Sequence, residues 1–84
     1  MPRYFFHVQD GLSEPDEAGT VLPDVRAAKR YALRYASSLV AEVGDDFWDR
    51  DEWQLVATDE RGLTLFTIAV LLWDAAALGG SKRT

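Results

Sequence analysis

The amino-acid sequence predicts an α+β domain: a small antiparallel sheet, in β-β-α-β-β order, covered on one face by one long helix. Three observations predict it. Apolar residues recur every three or four positions from Val25 to Val43, which is helical spacing. Segments on both sides of that stretch alternate apolar and polar residues with a period of two. Turn signals, among them Asp10-Gly11 and Asp59-Glu60-Arg61-Gly62, separate the segments.

Arg3–Gln9 reads as the first strand, with Tyr4, Phe6 and Val8 pointing one way and Phe5 and His7 the other. Its aromatic and β-branched residues suit a pleated surface. Residues 12–16 read as a loop, and 19–22 as a short second strand returning beside the first. The helix follows. Asp24 is its expected N-cap, because a carboxylate there accepts from the unpaired amides of the first turn. Val25, Ala28, Ala32, Tyr35, Ala36, Leu39, Val40 and Val43 form the apolar stripe, and Gly44 is the expected C-cap. The alanines in that stripe allow close approach to a sheet. Residues 45–52 read as an acidic loop, Trp53–Thr58 as an alternating strand, and 63–70 as its partner. The partner strand is apolar on both faces, which suits the middle of a sheet or a covered edge. A short terminal helix is expected over 73–78. The expected organisation is one domain over 1–78 with a flexible tail over 79–84.

Size and composition narrow the function classes. A chain of 84 residues holds one core and buries only roughly 60–65% of its unfolded surface, so association would add stability. The 48% apolar fraction is that of a globular chain. The absence of cysteine excludes disulfides and thiolate metal sites, and it fits a reducing compartment, so the expected location is cytoplasmic. The first residues lack the apolar run of a signal peptide. The longest apolar run, 63–73, is interrupted by Thr64 and Thr67 and falls short of the roughly 20 residues that span a bilayer, so no membrane partner is expected. A net charge of −5 opposes binding to nucleic acid.

Several segments together resemble a known family. They are Met1-Pro2-Arg3-Tyr4-Phe5-Phe6-His7, Asp10-Gly11, Asp16-Glu17-Ala18-Gly19-Thr20, Leu22-Pro23-Asp24 before an Ala/Arg-rich helix, and the turn Thr58-Asp59-Glu60-Arg61-Gly62. Over roughly residues 1–70 the chain is similar to short bacterial proteins that carry a domain of unknown function. The resemblance implies the fold and a cytoplasmic bacterial origin, and it brings no activity with it. The acidic tryptophan loop and the residues from Leu71 onward depart from the family pattern. A weaker, fold-level resemblance is to antitoxin domains of the HicB kind.

The candidate sites divide by chemistry. His7 is the sole histidine; no nucleophile motif or H-E-x-x-H spacing accompanies it, so it reads as a strand histidine bonded to a neighbour. Asp45, Asp46, Asp49, Asp51 and Glu52 cluster, but Trp53 and Gln54 stand where a calcium loop needs an acid and a glycine. The cluster therefore reads as solvated, and no metal or cofactor is expected. Arg26, Arg30 and Arg34 step by four along the helix as a basic stripe beside Lys29. Trp48, Trp53, Phe66, Ile68 and Trp73 are the expected partner surface, since one helix covers only one face of the sheet. The expectation is a non-enzymatic interaction domain that forms a homodimer. The alternatives are an antitoxin-like regulator that sequesters a protein partner and, behind it, a small metal binder or enzyme.

Overall fold

A computed structural model describes residues 1–10, 13–50, 52–73 and 75. The elements are β1 (Arg3–Gln9), β2 (Ser13–Glu14), β3 (Thr20–Val21), α1 (Val25–Val43), a 3-10 turn (Gly44–Asp49), β4 (Trp53–Thr58) and β5 (Thr64–Val70). All strand pairings are antiparallel, in the order β2-β1-β4-β5, with β3 also on the outer side of β1. The class is the α+β class that the periodicity predicts.

Two differences in order have physical reasons. β2 falls inside the stretch expected as a loop. Its two residues pair with Val8 and Gln9 and are exposed, so they carry no apolar alternation to betray them. The acidic segment expected as a loop forms the 3-10 turn, which follows α1 directly and buries Phe47. Trp73 and Ala75 have no regular structure, and the rest of the expected terminal helix lies outside the described residues.

The helix begins where Asp24 accepts a hydrogen bond from the Ala27 amide at 2.8 Å. It ends at Gly44, whose φ of 70° lies in the left-handed region that favours glycine. Ala28, Ala32 and Ala36 are buried against the sheet. Opposite them, Tyr4, Phe6 and Val8 of β1 and Trp53, Leu55 and Ala57 of β4 complete the core. The register aligns Val8 with Leu55 and Phe6 with Ala57, and Leu55 with Ile68 and Ala57 with Phe66. Every second residue therefore faces the helix across three strands. Phe47 packs on Trp53 with ring centroids 6.0 Å apart, closing one end of the core.

The helix comes closest to β4 and β5, and β5 forms one edge of the sheet, with Phe66, Ile68 and Val70 only half-buried. The opposite sheet face is not the bare aromatic surface that an uncovered sheet would present. Among the described residues Phe5 is its sole aromatic ring besides His7 and is half-buried, and Gln54, Thr58 and Thr67 supply polar groups.

Candidate functional site

Three places concentrate chemistry: a clasp around His7, a cleft on the β2 side of the helix, and a groove on the β5 side.

The clasp arises because β2 and β3 each pair with only two residues of β1, at its two ends. Among the described residues, the outer backbone between them has no partner strand. Asp16 fills the gap: its Oδ2 accepts from the Phe6 amide at 3.2 Å, and its Oδ1 from the Ala18 and Gly19 amides at 3.1 and 3.0 Å. The Asp16 amide donates to His7 Nδ1 at 3.0 Å. A backbone amide can only donate, so Nδ1 is the acceptor of a neutral imidazole and Nε2 carries the proton. Nε2 then donates to Thr58 Oγ1 at 3.0 Å, tying the loop through His7 to β4. Gly19 closes the loop at φ 73°; a Cβ there would sit 2.8 Å from Arg3 Cγ and from Phe5 Cε2. For Asp16, burial pushes the carboxyl pKa up, but the hydrogen bonds from the Gly19, Phe6 and Ala18 amides outweigh it. The net shift is downward.

The cleft on the β2 side has a volume of about 430 Å³ and is lined by Phe6, Val8, Glu14, Asp16, Glu17 and Tyr35 among others. Burial, then Tyr31, Asp16 and Glu14, raise the Tyr35 phenol pKa, so it stays protonated. The most tightly held acid here, Asp16, already spends its oxygens on three amides. This cleft is the outer wall of the clasp.

The groove on the β5 side, about 370 Å³, runs between α1 and the edge strand and is lined by Leu33, Ala36, Val40, Ala41, Ile68 and Val70, with Ser37 as its polar member. Leu33 is 60% exposed, and Leu71 and Trp73 beyond the strand are 57% and 69% exposed. Lys29 stands over the Phe66 ring, 6.0 Å from its centroid.

The expected partner surface is redistributed. Trp53 is in the core against Phe47, because inward alternation on β4 carries it beneath the helix end. Phe66 and Ile68 sit half-buried beside the groove, while Trp48 and Trp73 are exposed. Arg26, Arg30 and Arg34 are all exposed on α1. Asp45, Asp46, Asp49 and Glu52 are exposed, and Asp51 lies outside the described residues. Among the described residues, no group of three or more His, Asp or Glu side chains is placed to hold a metal ion, and the one ion pair joins Arg50 to Asp10. Leu33 is absent from the expected surface because it lies off the apolar stripe. The signal for it is a leucine between Ala32 and Arg34, out of phase with the core-facing positions.

Fold and clasp together define a small α+β domain in which one helix covers a sheet and a histidine–aspartate loop completes the first strand. The chain belongs to the family described as a domain of unknown function, DUF6894, whose model matches residues 3–71. That span holds the clasp, the helix, the groove and all five strands. Comparisons with curated proteins and with solved structures find no match. No helix among the described residues is long and apolar enough to cross a membrane.

Proposed function

We propose that the domain is a non-enzymatic interaction module that works as a homodimer in the cytoplasm. The observation that carries this reading is the outer edge of β5. Among the described residues, this seven-residue strand pairs only with β4, and its sequence, Thr-Leu-Phe-Thr-Ile-Ala-Val, contains no charge and no proline. Soluble proteins ordinarily blunt an open edge with lysine, proline or a charged neighbour, because its unpaired amides and carbonyls recruit other strands. Here the edge is left apolar and is bordered by exposed Leu33, Leu71 and Trp73. A covering partner removes that liability, and a second copy is the commonest one.

The rest of the molecule supports a binding role over catalysis. Both ring nitrogens of His7 are engaged in holding the clasp, which leaves neither as a free base. The lack of cysteine suits a reducing compartment. Sedimentation velocity from low to high micromolar concentration tests the reading. The expected result is a dimer throughout; a monomer across that range overturns it.

A further inference from the structure

We infer that His7 makes the clasp a proton-sensitive latch, closed while the ring is neutral and open once the imidazole takes up a second proton. The imidazolium form frees residues 15–17 from the middle of β1, and with them one wall of the cleft on the β2 side.

The closed form has room for one ring proton. Thr58 Oγ1 lies 3.0 Å from Nε2, and the Asp16 amide lies 3.0 Å from Nδ1. A hydroxyl either donates or accepts, so Thr58 adapts to whatever Nε2 carries. The amide does not adapt. It only donates, and Nδ1 must meet it with a lone pair. A proton added at Nδ1 sets two donors face to face, so the bond is lost and the Asp16 peptide turns away. The ring has little freedom to avoid this, because Phe5 lies parallel to it with centroids 6.4 Å apart.

Little else ties this segment to the sheet. β2 and β3 pair with β1 through two residues each, at its two ends. Between them Asp16 supplies the amide on His7 and, through Oδ2, the acceptor for the Phe6 amide. Both groups belong to one residue, so the turn that takes the peptide off the ring takes Oδ2 off Phe6. The Oδ1 bonds to the Ala18 and Gly19 amides lie within the segment and travel with it. Arg3 donates to the Ala18 carbonyl at 3.0 Å and follows on its long side chain. Glu14, Pro15, Asp16, Glu17 and Ala18 all line the 430 Å³ cleft, so its wall moves with the latch. The core stays, because Tyr4, Phe6 and Val8 point to the helix and His7 points away.

Among the described residues, few charged groups surround the ring. On β1, Arg3 shares its face, and Asp10, just past the strand, is paired with Arg50. β2 brings Glu14, which lies opposite Val8 and so on the helix side, and the segment brings Asp16 and Glu17. β3, β4 and β5 carry no charge, and Asp59 beyond β4 accepts from the Arg61 and Leu63 amides. The helix lies behind the opposite face. Carboxylates ordinarily titrate near pH 4, and tyrosine, lysine and arginine at about pH 10 and above. Between about pH 5 and 8 that leaves the imidazole and the Met1 amino group, which is 80% exposed.

Nuclear magnetic resonance of the whole chain from pH 8 to pH 5 tests the latch. At pH 8, Nδ1 is expected to resonate as an unprotonated acceptor, with the proton on Nε2. The Asp16 and Phe6 amides are expected to shift with the same midpoint as the His7 ring. Across that midpoint the Phe6 amide is expected to lose about tenfold in protection from exchange, corrected for the intrinsic effect of pH, while the Leu55 amide keeps its own. His7→Asn retains an acceptor oxygen near the Nδ1 position and does not titrate, so its Asp16 and Phe6 amides are expected to stay flat. If that variant does not fold, Thr58→Val serves instead: it removes the Nε2 partner alone, and its ring and Asp16 amide are expected still to move together. A proton on Nδ1 at pH 8, a ring that stays neutral down to pH 5, or a ring that titrates without the Asp16 and Phe6 amides overturns the latch. So does a titration of those amides that persists in His7→Asn.

Discussion

Asp16 does the work of a missing strand at the outer side of β1, and that makes it the residue through which acid acts on the fold. Three amide donors hold its carboxylate in the ionised form, and its pKa is lowered in the folded state. A depressed folded pKa contributes stability that is present above the unfolded value and is lost as pH falls through the folded one. The loss therefore begins below the ordinary carboxylate range, near 3.8, and not at neutral pH. Urea melts taken between about pH 6 and pH 2 are expected to show an acid limb in the unmodified protein that is shallower in Asp16→Asn. Equal limbs would mean the amides do not favour the charged form. Gly19→Ala tests the other side of the clasp. It combines a left-handed φ with contacts at 2.8 Å and is expected to cost about 1–2 kcal/mol, read as a fall in melting temperature. His7 is legible in the sequence as a bonded strand histidine, since it stands without catalytic companions. Its partners are not, because Asp16 and Thr58 are 9 and 51 residues away and only the fold brings them close.

The helix is the most legible element because every local signal agrees. Asp24 and Gly44 mark both ends and the alanines of the stripe mark the buried face through local chemistry alone, while Val25 and Tyr35 of the expected stripe are exposed at its margins. β1 and β4 are legible from their period of two, and β5 from an apolar run that follows the Gly62 turn. β2 is not, because Ser13–Glu14 is held by backbone pairing alone. The 3-10 turn is hidden by its charges: one inward residue, Phe47, organises a segment whose other side chains face water. Ala32 lies at the centre of the helix–sheet contact and is fully buried. Ala32→Leu is expected to push α1 off the sheet and destabilise the domain by about 1–3 kcal/mol by denaturant melting. An unchanged midpoint would mean that the helix rides higher than the contact implies.

Whole-molecule behaviour turns on which apolar residues the fold leaves uncovered. Composition and strand pattern point to an excess, but they place it on a sheet face, where Phe5, His7 and several polar residues in fact lie. The excess is at the flank instead, where α1 approaches β4 and β5 but leaves Leu33 exposed beside the open edge of β5. Two substitutions separate folding from association there. Ile68→Asp sets a charge on the helix-facing side of β5 and is expected to unfold the domain, seen as loss of the cooperative thermal transition. Leu71→Asp, just past the strand and largely exposed, is expected to keep the melting temperature within a few degrees and to give a monomer by light scattering. A Leu71→Asp protein that remains dimeric would move the interface away from the end of β5.

The alanine stripe reaches further than close packing. Ala28, Ala32 and Ala36 bring one methyl each to the centre of the core, so the hydrocarbon at the centre of the helix–sheet contact comes mostly from the strands, with Leu39, Val40 and Val43 of α1 and Phe47 of the turn adding to it toward one end. Unfolding such a layer wets less apolar surface than it would if large side chains met from both sides. Heat capacity follows wetted apolar area, at about 12–15 cal/mol/K per residue in ordinary domains. This domain should fall below that range, and its free energy of unfolding should then bend little with temperature. A shallow stability curve gives a small maximum but retains much of it well above and below room temperature. Scanning calorimetry over a series of pH values measures the increment directly, and a value at or above the ordinary range would show that the strands bury more than the alanines withhold.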